Sequence, residues 1–267
     1  RLRLRLKAGL MLGELGDNIR YLFVRPEAPG ASPGLRPHPS LWAQVGPTQR
    51  HLRGGFRIGG GAYGDEQPAW TAHLPGFLAC RLPLTVGEWR WFQRSPQGAS
   101  WDWALTADTD YNNPLQPVTG ITWRAMRAYA TWADALWNPT APQHQPGADP
   151  PEPRPSLALP TEVQWEAAAR GPLEGDAMAA SSEAPPATLF NHANTRWQRP
   201  SPVACFSRSI NALGLADTLG NVWEFCANAL TDEQQQRGWW QAADQQAANR
   251  PAEDADGGDR ALRGGAF

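Results

Sequence analysis

Apolar positions recur at helical spacing in four stretches of the 267-residue chain. The first is residues 2–22, where Leu6, Leu10, Leu12, Leu15 and Ile19 predict a short amphipathic helix or helical hairpin, worded like the tail of a helical repeat. Thr85-Val86-Gly87-Glu88 has the form of a capping box, and Trp89, Trp91 and Phe92 place an apolar face behind it. A third helix is predicted from Thr122, because Trp123, Met126, Ala130, Ala133 and Trp137 step by 3, 4, 3 and 4 into one buried stripe. The fourth starts at Thr161, with Gln164 as capping partner, Ala-rich turns behind it, and Arg170-Gly171 as a closing cation and stop. Short strands are predicted at residues 55–58, 77–82 and 260–263. Residues 27–47 carry Pro and Gly without periodicity and read as a linker or a strap over the domain. Residues 138–155, 173–187 and 231–258 lack the apolar period for a core of their own and read as surface insertions. Gly59-Gly60-Gly61 is followed by neither Lys-Ser/Thr nor a helix signal, so it predicts a tight bend rather than a phosphate loop.

Composition narrows the class. The 26 Gly and 26 Pro are too many for a helical bundle and suit short elements joined by punctuated loops. The 14 Trp predict a core that clamps irregular segments. A net charge of −2 steers nothing toward nucleic acid or anionic membranes. No apolar run approaches the roughly 20 residues of a membrane span, and no signal peptide is visible. Cys80, Cys205 and Cys226 are odd in number, far apart and without a CxxC pair, which argues against disulfides or zinc and for buried free thiols in a cytoplasmic protein. The five histidines, His38, His51, His73, His144 and His192, are scattered without metal-ligand spacing. The start at Arg1 rather than Met suggests a fragment or a processed form.

Six phrases then occur in one order. Residues 56–65, Pro83-Leu84-Thr85 before an aromatic helix, and Pro117-Val118-Thr119-Gly120-Ile121-Thr122-Trp123 come first. Leu159-Pro160-Thr161-Glu162-Val163-Gln164-Trp165-Glu166 with its Ala-rich continuation follows, then Gly214-Leu215-Ala216-Asp217-Thr218-Leu219-Gly220-Asn221-Val222-Trp223-Glu224-Phe225, and Arg263-Gly264-Gly265 matches a late strand. In this order they resemble the formylglycine-generating enzyme, or sulfatase-modifying factor, family. Ala158 stands where that family usually has Arg, and Ala167 where it has an aromatic residue. The resemblance implies an α+β fold of the C-type-lectin type: a small twisted antiparallel sheet, two main helices and long loops. It places an N-terminal helical tail and linker in residues 1–50, and the domain, short of its last strands, in residues 51–267.

The resemblance also implies a structural calcium site, with side-chain oxygens of Asp217 and Glu224 and backbone carbonyls of Gly220 and Val222. Two carboxylates and two carbonyls suit a hard cation; alternatively, Asp217 and Glu224 only cap turns and pair with nearby Arg. Asn194 and Thr195 resemble half of a second calcium site whose remainder, 196–202, is shortened. The family's oxidases use a cysteine pair beyond the Arg-Gly-Gly strand to bind copper, and no copper site is evident up to Phe267. The expectation is therefore a non-catalytic domain that recognises a protein or small ligand, in one version the variable protein of a diversity-generating retroelement, fused to a larger signalling protein. The alternative is a copper-dependent oxidase of the formylglycine-generating type with its catalytic cysteines beyond residue 267. A structural, partner-binding subunit is a third possibility.

Overall fold

The computed structural model describes residues 2–14, 23–24, 36–37, 41–46, 55–60, 67–137, 156–171, 186–229 and 260–267. Among these, four helices and eight strands follow in the order α1 (Leu2–Glu14), β1 (Phe23–Val24), β2 (Arg36–Pro37), β3 (Trp42–Val45), β4 (Phe56–Ile58), β5 (Trp70–Ala72), β6 (Phe77–Cys80), α2 (Val86–Gln93), α3 (Trp123–Trp137), α4 (Glu162–Arg170), β7 (Glu224–Ala229) and β8 (Arg260–Arg263). The strands pair two by two, all antiparallel: β1 with β2, β3 with β6, β4 with β5 and β7 with β8. Small separate ladders thus stand where one twisted sheet was expected. The predicted insertions lie outside the described residues except at their margins, as do Leu15 and Ile19 of the expected N-terminal helix.

Both predicted capping boxes form. The Thr85 hydroxyl accepts the Glu88 N–H while the Glu88 carboxylate accepts the Thr85 N–H, and Thr161 and Gln164 repeat the exchange at α4. Each box satisfies donors that the first helical turn would leave orphaned. The start of α2 is closed further by residues 114–116, whose Gln116 and Pro114 carbonyls accept from Val86 and Gly87 at 2.9 and 3.0 Å. Helix α4 stops at Gly171, as predicted.

The buried face of α3 keeps Ala130 and Ala133 of the expected stripe and shifts the rest. Ala125, Tyr129, Trp132 and Ala133 are buried, whereas Trp123 and Met126 are half-buried. They pack on Val86, Trp89 and Phe92 of α2 and on Trp103, building an aromatic cluster in which Trp89–Phe92 and Phe92–Trp132 centroids lie 5.2 Å apart. A second cluster joins α4 (Val163, Ala167, Ala168) to β3, β4 and β5. The β3–β6 ladder stands between the two. Ala43 and Val45 face the α4 cluster, while Trp42 and its cross-strand partner Cys80 face the aromatic one, as the alternation of a strand requires. Strand β3 is thus part of the core although it lies within residues 27–47, read from sequence as a linker or strap.

Helix α1 rests on the loops. Leu6 is buried, Arg5 donates to the Ser207 hydroxyl at 3.1 Å, and Asn113 donates to the Leu10 carbonyl at 2.8 Å. Leu4 and Met11 remain exposed.

Truncation of Trp89, which is fully buried, is expected to cost about 3–5 kcal/mol. Leu4→Ala, at an exposed position, should change stability by less than about 0.5 kcal/mol; urea unfolding of the two variants checks the contrast.

Candidate functional site

The richest polar cluster lies where α4 meets the β7–β8 ribbon. Glu162 and Glu166 are one turn apart on α4 and both are buried. Arg263, at the end of β8, reaches Glu162 Oε1 at 2.8 Å and Glu166 Oε2 at 3.0 Å. Glu166 also accepts the Gly59 N–H at 2.8 Å, just beyond β4, and pairs with Arg170 at 2.7 Å. One carboxylate therefore ties α4, the end of β4 and β8 together. A buried charge is tolerated only when paired and hydrogen-bonded, and both conditions are met for Glu166.

That anchoring brings the Arg-Gly-Gly segment against the loop before β7. The Gly264 carbonyl accepts the Gly220 N–H at 2.8 Å. Gly220 has φ +66°, and a Cβ there would come within 2.2 Å of the Asn191 carbonyl, so no larger residue fits without displacing the neighbouring backbone. Asn221, also at positive φ and fully buried, accepts the Ser201 N–H at 2.8 Å and the Asn191 amide at 3.2 Å through Oδ1. These bonds pin the loop from below, and Trp223 projects into solvent at its tip.

The four residues named from sequence fall along this loop. Asp217 is buried and accepts the Ala204 N–H at 2.7 Å. The Gly220 carbonyl accepts the Val222 N–H at 2.9 Å. A Cβ on Gly264 would lie 3.0 Å from the Val222 carbonyl. Glu224, half-buried, accepts the Trp165 indole N–H at 3.1 Å. Burial pushes the Glu224 carboxyl up to about 7; the Trp165 bond opposes this, and the negative charge of Asp217 adds to it. Among the described residues, no group of three or more His, Cys, Asp and Glu side chains is arranged to hold a metal ion. Of the segment resembling half a second calcium site, Ala193–Thr195 forms a single 3-10 turn in which the Thr195 hydroxyl accepts the His192 N–H at 2.9 Å.

The thiols are poorly suited to soft-metal chemistry. Burial, then the charge of Glu88, raises the Cys80 thiol to about 12, and burial followed by Glu162 raises that of Cys226 further. Copper(I) binds thiolates brought together. Cys80 and Cys226 are thus held as thiols and do not fit copper.

Residues 43–267 match the family described as the sulfatase-modifying factor enzyme 1-like domain. The chain belongs to that family. Curated relatives of this sulfatase-modifying factor-like chain include a hercynine oxygenase of Mycolicibacterium thermoresistibile, 29% identical over 63% of this chain and 39% of its own length. Formylglycine-generating enzymes of Thermomonospora curvata and Streptomyces coelicolor are 28% and 31% identical, over 76% and 49% of this chain and 62% and 38% of theirs. The chain thus spans less than two thirds of each of these relatives. A solved structure described as CarF shares the fold, with a TM-score of 0.50, 20% identity, and coverage of 84% of this chain and 86% of that one. The relatives are named for enzymatic activities. They overturn the expectation of a non-catalytic recognition domain, and the retroelement version with it. The weight placed on a missing cysteine pair is what misled that expectation.

Sequence inspection alone did not single out Trp165, Glu166, Asn221 and Arg263 as a connected group. The acidic pair at i and i+4 on the apolar α4 was the available signal, since two carboxylates on a buried helix face require cations from elsewhere.

Two tests follow from this geometry. Glu166→Ala, which removes one of the two carboxylates on Arg263 and the acceptor of the Gly59 N–H, should lower stability by about 3–5 kcal/mol in urea unfolding. A fold that holds Glu224 protonated up to about 7, against an ordinary 4.5, binds a proton that the unfolded chain has released. Stability in a chelator should therefore fall as pH rises from about 4.5 to about 7 and then level off. Glu224→Gln should lack that component.

Proposed function

We propose that this chain is the sulfatase-modifying factor-like domain of an oxygen-using oxidase of the formylglycine-generating type, acting on a thiol-bearing substrate. The observation carrying this reading is the match of residues 43–267, which contain α4, the Asp217–Glu224 loop and β8, to the family, together with the kinship of the chain with curated enzymes. Because Cys80 and Cys226 are held protonated, the thiolate ligands of a copper centre come, in this reading, from outside the described residues. What the described residues contribute is position: Arg263, clamped by Glu162 and Glu166, holds the Arg-Gly-Gly segment and whatever chain follows it against the Gly220 loop. We read the fold more finely as the C-type-lectin type, with the β3–β6 and β7–β8 ladders as the halves of its divided sheet.

Structural calcium belongs to the same proposal. Asp217 and Glu224 approach closely enough for one charge to oppose the other, and a divalent cation held by their carboxylates and by the carbonyls of Gly220 and Val222 would relieve that opposition.

The deciding assay is oxygen uptake by the full-length protein. Consumption with copper and a cysteine-containing peptide is the expected result. Consumption only with iron(II), a thiol and hercynine would replace this reading with the hercynine oxygenase one, and no uptake in either mixture would overturn it. For calcium, the melting temperature should rise on its addition to chelator-treated protein, and Asp217→Asn should abolish the rise.

A further inference from the structure

Helix α1 has two apolar faces, and the domain covers one of them. Leu6 is buried and Leu2, Gly9 and Leu10 are half-buried on the side that meets the loops. Gly9 approaches so closely that a Cβ there would lie 3.0 Å from the Pro202 side chain and from the Cys205 sulfur. With the Arg5–Ser207 and Asn113–Leu10 bonds, this contact fixes which way the helix faces, so it cannot roll to hide its other side. That other side is also apolar. At about 3.6 residues per turn, Leu4, Ala8, Met11 and Leu12 fall in one stripe about 100° wide, opposite Leu6. Leu4 is 72% exposed, Met11 62% and Leu12 49%. Of the seven large apolar side chains exposed among the described residues, three stand on this one 13-residue helix, a contiguous patch rather than scattered singles.

Cations border the stripe on both sides. Arg3 and Lys7 line one edge and Arg5 the other, all three exposed, and residues 2–12 contain no acidic side chain. Arg3 and Lys7 have no ion-pair partner among the described residues. An apolar seam bordered by like charges is the pattern by which one helix selects another of opposite border charge. We propose that the outer face of α1 is a docking site for an amphipathic helix of a partner protein, one whose apolar stripe is bordered by Asp or Glu. Ala8, small and within the stripe, lets the partner's backbone come near, as close helix packing requires. A second copy of this chain fits less well, because it would bring three like charges from each helix into one contact. A lipid surface fits less well too, since the stripe is narrow and lacks the aromatic side chains that enter a bilayer boundary. The site uses neither α4, the Gly220 loop nor β8, so it stands apart from the oxidase reading.

The probe is a labelled synthetic peptide of three heptads with Leu at the two seam positions and Glu at the two bordering ones; a twin carries Lys in place of Glu. Fluorescence anisotropy with the full chain is expected to show saturable binding of the Glu peptide and at least tenfold weaker binding of its twin. Leu4→Glu and Met11→Glu should each weaken the Glu peptide tenfold or more, and Arg3→Ala combined with Lys7→Ala at least threefold. The melting temperature should stay unchanged in all of them, because these side chains are exposed. Equal binding of the two peptides, equal binding by wild type and Met11→Glu, or no saturable binding would overturn the proposal. If the Glu peptide does not bind, while Met11→Glu abolishes binding to phosphatidylserine vesicles or dimerisation in sedimentation, the face belongs instead to a membrane or to a second copy.

Discussion

The organisation of this domain rests on the need to neutralise two carboxylates that α4 carries into the interior. Glu162 and Glu166 cannot be buried without cations and donors, and the groups that answer them come from three places: Arg170 from the same helix and, from distant parts of the chain, the Gly59 N–H after β4 and Arg263 from β8. Because α4 itself is registered by its capping box, these contacts locate the last described strand to within a hydrogen bond. The Gly264–Gly220 bond and the Trp165–Glu224 bond then follow from where that strand must lie. A loop-rich chain gains in this way a rigid corner without a continuous sheet.

Local chemistry was legible in the sequence, and distant chemistry was not. Both capping boxes could be read because their partners are three residues apart and the pairing is dictated by the helix start. The apolar spacing of α3 was also visible. Its buried stripe kept Ala130 and Ala133 but was otherwise displaced, because the helix is rich in apolar residues on several faces, and contact with Trp89 and Phe92 chose Tyr129 and Trp132 over Trp123 and Met126. Strand β3 was hidden in a Pro- and Gly-rich stretch, where four residues are too few to show a period. The Glu166–Arg263 contact spans 97 positions, and only the acidic pair on an apolar helix hinted that a cation was owed.

The candidate site shows the same division. Asp217, Gly220, Val222 and Glu224 could be named because the phrase containing them is distinctive. Their surroundings, with the buried Asn221 holding Ser201 and Asn191, and Trp165 on Glu224, depend on tertiary approach. The functional expectation failed for another reason. It weighed the cysteines that were missing above the framework that was present, and kinship with named enzymes lies in that framework.

The β3–β6 ladder has a consequence for how the chain finds its register. It is a wall shared by two cores of unlike character, large aromatic rings on one side and small aliphatic groups on the other. Sliding β3 by one residue against β6 would carry Trp42 into a space shaped for Ala43 and Val45, and put alanine opposite the tryptophans. An incorrect alignment is thus rejected twice, by overfilling one compartment and emptying the other. Four residues suffice for a strand that is proofread from both sides.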